Sequence, residues 1–148
     1  MKARSKELLD RAIAATVAAI EIYNKPDFLY REQTFAVLAI NGWELLLKAK
    51  WLVDNKNNIK CLYVRERIVL KCGKRGKKIR IKLTRSGNPF THSIDYLAIK
   101  LVEQGRLDAK AWQNLQALLE IRDSSIHFYN RCGNFALRLQ EVGTASLK

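Results

Sequence analysis

The chain has 148 residues, of which 48% are hydrophobic, so it is long enough for one domain with a single core and too short for two sizeable domains. Lys and Arg number 27 against 14 Asp and Glu, and the formal net charge of +13 favours polyanionic partners, with nucleic acid the first candidate. The three cysteines lack the paired spacing of a zinc site, and no export leader opens the chain, so we expect no metal, no cofactor and a cytoplasmic location.

The first predicted element is a helix from Ser5 to Asn24. Its apolar residues recur at intervals of three or four, which predicts a wide face that packs against the core. One stripe consists of Leu9, Ile13, Val17 and Ile20, and the stripe beside it of Leu8, Ala12, Ala15 and Ala19. Pro26 ends the helix, because proline disfavours helical geometry in the residue before it.

The second predicted helix runs from Arg31 to Asp54 and forms the spine of the domain. Its most apolar part, Phe35 to Leu52, carries Glu44 and Lys48, and a charge near a bilayer centre costs roughly 2.5 kcal/mol or more. We therefore interpret this part as a core helix and not as a membrane span. The residues predicted to point inward are Phe35, Leu38, Ala39, Gly42, Leu45, Leu46, Ala49 and Leu52, with Trp43 and Trp51 as packing residues.

Glu44 is the unusual residue of this helix, since it stands in a strongly apolar stretch. A carboxylate that is partly buried needs a partner. Arg122 is one candidate partner, which would make Glu44 a support of the candidate site described below. The alternative is an ordinary exposed ion pair with Lys48, four residues on in the favourable order.

The composition changes after Asp54, and a basic β-hairpin is predicted as an insertion of about residues 60–85. Cys61 to Lys71 is rich in Val, Ile, Leu and Tyr, and Lys78 to Leu83 alternates cations with Ile and Leu. The alternation predicts one wet basic face and one apolar face. The interval from Lys60 to Arg85 holds 11 Lys or Arg and a single acid, so it carries +10 of the net +13.

Such a hairpin can follow a phosphate backbone, with binding that weakens as salt rises. The candidate nucleic-acid contacts are Lys74, Arg75, Lys77, Lys78, Arg80, Lys82 and Arg85. The alternative is a solvated edge that its charges protect from aggregation, although one or two charges suffice for that purpose.

A loop at residues 84–89 leads to a third predicted helix. Ser93 or Thr91 caps this helix, which runs to Gln104. His92 lies in the loop region. A second proton carrier is one interpretation of it, and a solvated loop histidine is the one we expect.

Two more predicted helices complete the domain. Asp108 caps the fourth, whose inward residues Leu115, Leu118 and Leu119 lead straight into Arg122. A helical pattern from Tyr129 to the last residue forms the fifth. The predicted fold class is therefore mainly α, a single domain with a bundle of four to five helices and a β-hairpin inserted between helices 2 and 3.

The stretch from Glu120 to Asn130 brings together a cation, a carboxylate, an imidazole and a phenol. Arg122 can stabilise the charge that builds on phosphate oxygens, while His127 can take or give a proton near neutral pH. Asp123 stands four residues before His127 and can orient the imidazole. Together these residues suit metal-free cleavage of RNA, whose 2′-hydroxyl is an internal nucleophile.

Helix geometry sets a condition on this chemistry. On a straight helix, residues five apart differ by about 140° and by about 7.5 Å in height, so Arg122 and His127 would not converge on one small group. A break near Ser124 and Ser125, or a second copy of the chain, is needed. The alternative is a plain helix junction in which Arg122 pairs with a surface carboxylate and His127 packs.

The pattern of Arg122, Asp123, His127 and Tyr129, late in an all-helical domain, resembles the signature of the HEPN superfamily (higher eukaryote and prokaryote nucleotide-binding domains). The phrases LLDRAIAATVAAIEIYNKPDF and FAVLAINGWELLLKAKWL also resemble a bacterial HEPN-like family classed as a domain of unknown function. The resemblance implies a bundle that dimerises so that two copies of the motif face one cleft. Arg122 and His127 would carry catalysis, and Asp123 would take the polar place after the arginine.

Many members of this superfamily are metal-independent ribonucleases of toxin and antitoxin pairs or of phage defence, and some are only binding modules. Tyr129 matches a tyrosine that a partner nucleotidyltransferase modifies in some members. The resemblance therefore implies a homodimeric endoribonuclease that cleaves RNA by 2′-hydroxyl attack, with an antitoxin or a nucleotidyltransferase as partner.

Two other functions remain open from the sequence. The first is a non-catalytic nucleic-acid-binding or regulatory module, in which the hairpin binds and the Arg and His residues only build a dimer contact. The second is a toxin body whose basic surface docks an acidic antitoxin. In each case the chain could be the amino-terminal domain of a longer protein.

Overall fold

Five α-helices and one small antiparallel sheet make up the described part of the chain, which is residues 3–69, 73, 75–126 and 135–147 of the computed structural model. The helices are α1 (Arg4–Tyr23), α2 (Arg31–Asp54), α3 (Ile94–Glu103), α4 (Ala109–Ile126) and α5 (Phe135–Ser146). A 3-10 helix, Ile59–Leu62, and the strands β1 (Arg65–Val69) and β2 (Arg75–Ile81) stand between α2 and α3. The mainly α class is confirmed, and the hairpin lies where it was predicted.

The longest helix, α2, begins and ends at the residues predicted from the sequence. It contacts each of the four other helices, so its buried surface is broader than a single stripe. Its buried residues are Phe35, Ala36, Ala39, Ile40, Gly42, Leu47, Ala49 and Leu52. Leu46, which was predicted to point inward, is instead 37% exposed, because it lies at the rim of a groove between α1 and α2.

The two tryptophans of α2 are half-buried packing residues, as predicted. Trp43 and Trp51 both lie against the core, and the indole Nε1 of Trp51 donates a hydrogen bond to the carbonyl oxygen of Cys61 at 3.2 Å. This bond ties α2 to the 3-10 helix that precedes the hairpin. Leu62 in the same 3-10 helix is 2% exposed and belongs to the core.

The first helix, α1, packs on α2 through small side chains. Ala12 and Ala19 are buried, and Gly42 of α2 lies so close to α1 that an added Cβ would stand 2.6 Å from the Oγ1 of Thr16. Of the predicted stripe of larger residues, Ile13, Val17 and Ile20 are exposed. The predicted helix with a wide apolar face is confirmed, and only its alanine stripe is buried, because α1 stands at the outside of the bundle against α2.

The caps predicted for α3 and α4 are confirmed at Ser93 and Asp108. The Oγ of Ser93 accepts a hydrogen bond from the backbone nitrogen of Tyr96 at 3.3 Å. A carboxylate oxygen of Asp108 accepts from the backbone nitrogens of Lys110 and Ala111 at 3.1 and 3.3 Å. The residues that then anchor the two helices in the core are Leu97, Ala98, Leu101, Leu115, Leu118 and Ile121.

The start of the insertion differs from the prediction. Cys61 begins the predicted strand, but it lies in the 3-10 helix, and β1 starts only at Arg65. The side chain of Asn58 caps the 3-10 helix by accepting a hydrogen bond from the backbone nitrogen of Lys60 at 3.1 Å. Burial of Leu62 in the bundle fixes this turn, a tertiary effect that local β-propensity does not include.

The foot of the hairpin, residues 62–64, 82 and 90–92, is closed by backbone hydrogen bonds among three segments. The nitrogen of Val64 donates to the carbonyl of Phe90 at 2.8 Å, and that of Phe90 donates to the carbonyl of Lys82 at 2.7 Å. The nitrogen of Lys82 in turn donates to the carbonyl of Val64 at 2.8 Å. His92 closes the foot by donating to Leu62 at 2.9 Å, so the hairpin stands on a base that is fixed to the bundle.

The close approach of α1 and α2 at Gly42 allows a test of this packing. Gly42→Ala should lower the free energy of unfolding by about 1–3 kcal/mol, because the new methyl group overlaps the hydroxyl of Thr16. Urea denaturation measures the change. In a Thr16→Ala background the overlapping hydroxyl is gone, and most of the loss should disappear. An equal loss in the two backgrounds would contradict the contact.

Candidate nucleic-acid interface and Arg122 cluster

The pairing register of the hairpin decides which of its residues share a face. Arg65 pairs with Ile81, and Arg67 pairs with Ile79. Because opposed residues of an antiparallel pair project to the same side, the two arginines share a face with the two isoleucines. The face that carries Ile79 and Ile81, as the alternation predicts, therefore also carries cations, since β1 places an arginine opposite each isoleucine of β2.

The other face of the hairpin carries Arg80 of β2 and the lysines two residues to either side of it. Glu66 pairs with Arg80, and Lys78 and Lys82 lie two residues to either side of that arginine. The guanidinium of Arg80 contacts the carboxylate of Glu66 through Nη2 at 2.9 Å and Nε at 3.0 Å. The ammonium of Lys82 lies 4.6 Å from the centre of the Phe90 ring, a cation–π contact. This face is basic, as the alternation predicts.

Much of the positive charge of the hairpin has no partner within the described residues. The exposed side chains that make no ion pair, hydrogen bond or ring contact there are Arg65, Arg67, Lys77, Lys78 and Arg85. Lys74 and the side chain of Arg75, two further predicted contacts, lie outside the described part of the chain. None of these five cations has to break an ion pair with a described carboxylate before it binds an external anion. This suits a polyanionic ligand.

Glu44 pairs with Lys48 and not with Arg122. The ammonium of Lys48 lies 2.6 Å from a carboxylate oxygen of Glu44, and it also donates to the hydroxyl of Thr91 at 3.1 Å. The Lys48 side chain is only 13% exposed, so the predicted ion pair forms but is less open to solvent than expected. Its role is to join α2 to the segment that leads into α3.

Arg122 lies on α4 and its side chain is 31% exposed. Its guanidinium contacts one oxygen of Asp123, Oδ1, through Nε at 2.9 Å and Nη2 at 2.8 Å. Pairing of Arg122 with a surface carboxylate, one of the two predicted alternatives, is thus present and involves the next residue. The second oxygen of Asp123, Oδ2, accepts no hydrogen bond from a described residue and stands ready for another donor.

The helix that carries Arg122 is continuous. It extends without interruption to Ile126, so the break near Ser124 and Ser125, one of the two arrangements considered from the sequence, is not present. Ile121 is 3% exposed and holds this end of α4 on the core, which favours unbroken helical geometry. The other arrangement considered from the sequence, a second copy of the chain, stays a prediction.

The remaining motif residues, His127 and Tyr129, lie outside the described residues. Their approach to Arg122 stays a prediction. On the described side of the motif, Arg138 of α5 pairs with Glu120 of α4 at 3.5 Å on the exposed surface. The end of α4 therefore presents charges of both signs within a few residues.

His92 is the residue whose setting the sequence reasoning missed. Its ring is half-buried and stacked on that of Tyr96, with centroids 4.0 Å apart and planes inclined by 13°. Burial lowers the pKa of His92 below its ordinary value of 6.5. The expectation of a solvated loop histidine is wrong for this reason. The available signal was the four-residue spacing of two rings across the Ser93 cap.

No group of three or more His, Cys, Asp or Glu side chains in the described part of the chain is placed to hold a metal ion. None of its helices combines the length and the apolar character that crossing a bilayer requires. The thiol of Cys61 has its pKa raised by burial, which keeps it protonated near neutral pH.

Comparison with known proteins identifies a family that the chain matches. A family model described as a domain of unknown function, DUF3644, matches residues 7–148. The matched range contains the hairpin and all the helices apart from the first residues of α1. Searches of curated proteins and of solved structures gave no match.

The half-buried ring of His92, stacked on Tyr96, predicts a pH dependence of stability. Because the pKa of His92 in the folded protein is below 6.5, protonation favours the unfolded chain. The contribution of His92 to the free energy of unfolding should be intact above that value and should be lost as the pH falls through it. Urea denaturation at about pH 7.5 and about pH 5.5 measures the loss, which His92→Gln should reduce.

His127→Gln is the control for this measurement, since His127 is the only other histidine of the chain. It should not change the part of the loss in the free energy of unfolding that is due to His92. If wild type and His92→Gln lose the same stability between the two pH values, the setting described for His92 is wrong.

Proposed function

The chain belongs to the DUF3644 family, and from that premise we propose that it is an RNA-binding domain whose basic β-hairpin contacts the phosphate backbone. The observation that carries the proposal is the set of five exposed hairpin cations without a partner in the described part of the chain. Their contact with phosphates releases counterions from the nucleic acid, which favours binding at low salt. Protection of a strand edge would need fewer charges.

The shape of the hairpin supports the same proposal. The seven residues of β2 extend over about 23 Å, so its cations can reach several consecutive phosphates. Arg65 and Arg67 of β1 project from one face and Arg80 of β2 from the other, so a bound RNA strand can be contacted from either side of the hairpin. We propose RNA over DNA because the pattern of Arg122 and His127 resembles an RNA-cleaving motif.

We further propose that the domain cleaves the bound RNA at the end of α4 without a metal ion. The 2′-oxygen attacks the adjacent phosphorus as His127 removes its proton, and the 5′-oxygen of the next nucleotide leaves with a proton. The products are a 2′,3′-cyclic phosphate and a free 5′-hydroxyl. Arg122 stabilises the charge on the phosphate oxygens, and Asp123, which already holds the guanidinium, positions it.

The proposed reaction requires a second copy of the chain. One imidazole cannot be base and acid at the same moment, and a two-fold axis that unites two copies of His127 supplies both. The unbroken helix through Ile126 supports this arrangement over a bend within one chain. An antitoxin or a nucleotidyltransferase that acts on Tyr129 is the partner proposed to restrain such a dimer.

The alternative function is a non-catalytic nucleic-acid-binding module. The observation that favours it is the pair formed by Arg122 and Asp123, which neutralises the guanidinium within its own chain. In that case the hairpin would bind RNA, and the end of α4 would serve only in contacts between proteins.

Removal of two hairpin cations tests the binding proposal. Lys77→Gln/Lys78→Gln should weaken binding of a short fluorescent single-stranded RNA by about tenfold or more and should lower the salt slope by about one to two. Fluorescence anisotropy at two salt concentrations measures both quantities. Lys25→Gln/Lys110→Gln removes the same charge from exposed positions outside the hairpin, and an equal loss in this control would sink the proposal.

Incubation of RNA with the pure protein in EDTA tests the cleavage proposal. Wild type should produce 2′,3′-cyclic phosphate ends, and substrates with a 2′-deoxy sugar at the cut position should resist. Arg122→Ala and His127→Ala should each lower the rate by about 100-fold or more, while the exposed control Arg106→Ala should not. Binding of RNA by wild type without any cut would establish the non-catalytic alternative instead.

A further inference from the structure

A small cavity opens at the foot of the hairpin. Its volume is about 340 Å³, and its lining residues are Lys60, Cys61, Tyr63, Arg65 and His92. These residues come from the 3-10 helix, the start of β1 and the segment before α3, and none belongs to the Arg122 cluster. The cavity, called the foot pocket below, thus joins two cations, two rings and a thiol, and no carboxylate lines it.

The two cations of the foot pocket have no competing partner. The side chains of Lys60 and Arg65 are exposed, and neither makes an ion pair or a hydrogen bond with a described residue. Two like charges at one cavity repel each other in the empty site. An anion between them removes that repulsion and accepts charge-assisted hydrogen bonds from both.

The walls of the foot pocket are fixed by the bundle. Trp51 of α2 donates its indole hydrogen to the carbonyl oxygen of Cys61, and the backbone nitrogen of His92 donates to Leu62 at 2.9 Å. The His92 ring is held further by its stack on Tyr96. A ligand therefore meets a preformed site and loses little free energy in ordering it.

We propose that the foot pocket binds one nucleotide of a single-stranded RNA. Lys60 and Arg65 hold the phosphate, and the rings of Tyr63 and His92 contact the base, a combination of cations and flat rings that suits single-stranded nucleic acid. This inference rests on the proposed RNA-binding function and adds to it a defined subsite.

His92 supplies a ring and not a charge to this subsite at neutral pH. Burial lowers its pKa, so the imidazole is mostly uncharged there. A neutral imidazole has one nitrogen that donates a hydrogen bond and one that accepts. The attraction for phosphate therefore comes from Lys60 and Arg65, and loss of the His92 ring should alter affinity without altering the salt slope.

Arg65 makes the foot pocket continuous with the hairpin surface. It lines the pocket and is also the first residue of β1, where Arg67 follows on the same face. When an RNA strand has one nucleotide in the pocket, its next phosphates lie beside hairpin cations that make no ion pair with a described residue. A free mononucleotide would make the pocket contacts alone, so the strand should bind more tightly.

Binding of a fluorescent ten-nucleotide single-stranded RNA tests the inference. Lys60→Gln/Arg65→Gln should weaken binding by about tenfold or more, and His92→Ala by about threefold with an unchanged salt slope. The matched control is Arg106→Gln/Lys110→Gln, which removes one arginine and one lysine charge at exposed positions beyond the far end of α3. The control should stay within about twofold of wild type.

Each variant is checked for folding by circular dichroism, and Lys60→Gln, which leaves the hairpin cation Arg65 in place, decides the question if His92→Ala unfolds. If Lys77→Gln/Lys78→Gln weakens binding while both pocket variants match the control, the foot pocket is wrong and the hairpin interface stands. If no variant differs from the control, both proposals fail.

Competition experiments distinguish a nucleotide within an RNA strand from a free mononucleotide as the ligand of the foot pocket. Unlabelled RNA of the same length should displace the probe at far lower concentration than adenosine monophosphate, and inorganic phosphate should be weaker still. Displacement by adenosine monophosphate as effective as that by RNA would overturn the strand proposal and leave a site for free mononucleotides.

Discussion

One apolar helix has to be covered on several sides, and the other elements of the domain take their positions from that requirement. The helix α2 buries residues along nearly its full length and contacts the four other helices. Small residues let α1 come close on one flank, while leucines of α3 and α4 cover another. The driving force is removal of apolar surface from water, which amounts to about 25 cal/mol for each Å².

Charge is kept apart from this apolar core. The interval from Lys60 to Arg85 holds almost all of the net positive charge, and the remainder of the chain is close to neutral. The helices can therefore pack without strong mutual repulsion, while the insertion concentrates its field at one end of the molecule. Lys48 is the exception within the bundle, and it is matched by Glu44 and Thr91.

Features that depend on neighbouring residues could be predicted from the sequence. Features that depend on tertiary contacts could not. The caps at Ser93 and Asp108 depend on side chains within a few residues, and the sequence identified Asp108 directly and Ser93 as one of two candidates. The turn at Cys61 depends on burial of Leu62 against distant helices, and the mixed faces of the hairpin depend on a register between two strands.

The candidate site shows the same division. The pairing of Glu44 with Lys48 follows from their spacing, whereas the pocket beside His92 unites residues about thirty positions apart in the chain and has no local signal. The continuity of α4 past two serines likewise reflects the hold of Ile121 on the core and not the propensities of the serines themselves.

The closed foot of the insertion has an evolutionary consequence. The hydrogen bond between His92 and Leu62 joins the two ends of the insertion. The residues between them therefore form a loop that is already closed where it attaches to the bundle. Lengthening such a loop costs little, about 0.6 kcal/mol for each doubling. The arm above the foot is thus free to diverge in length and reach among related chains while the helical scaffold keeps one design.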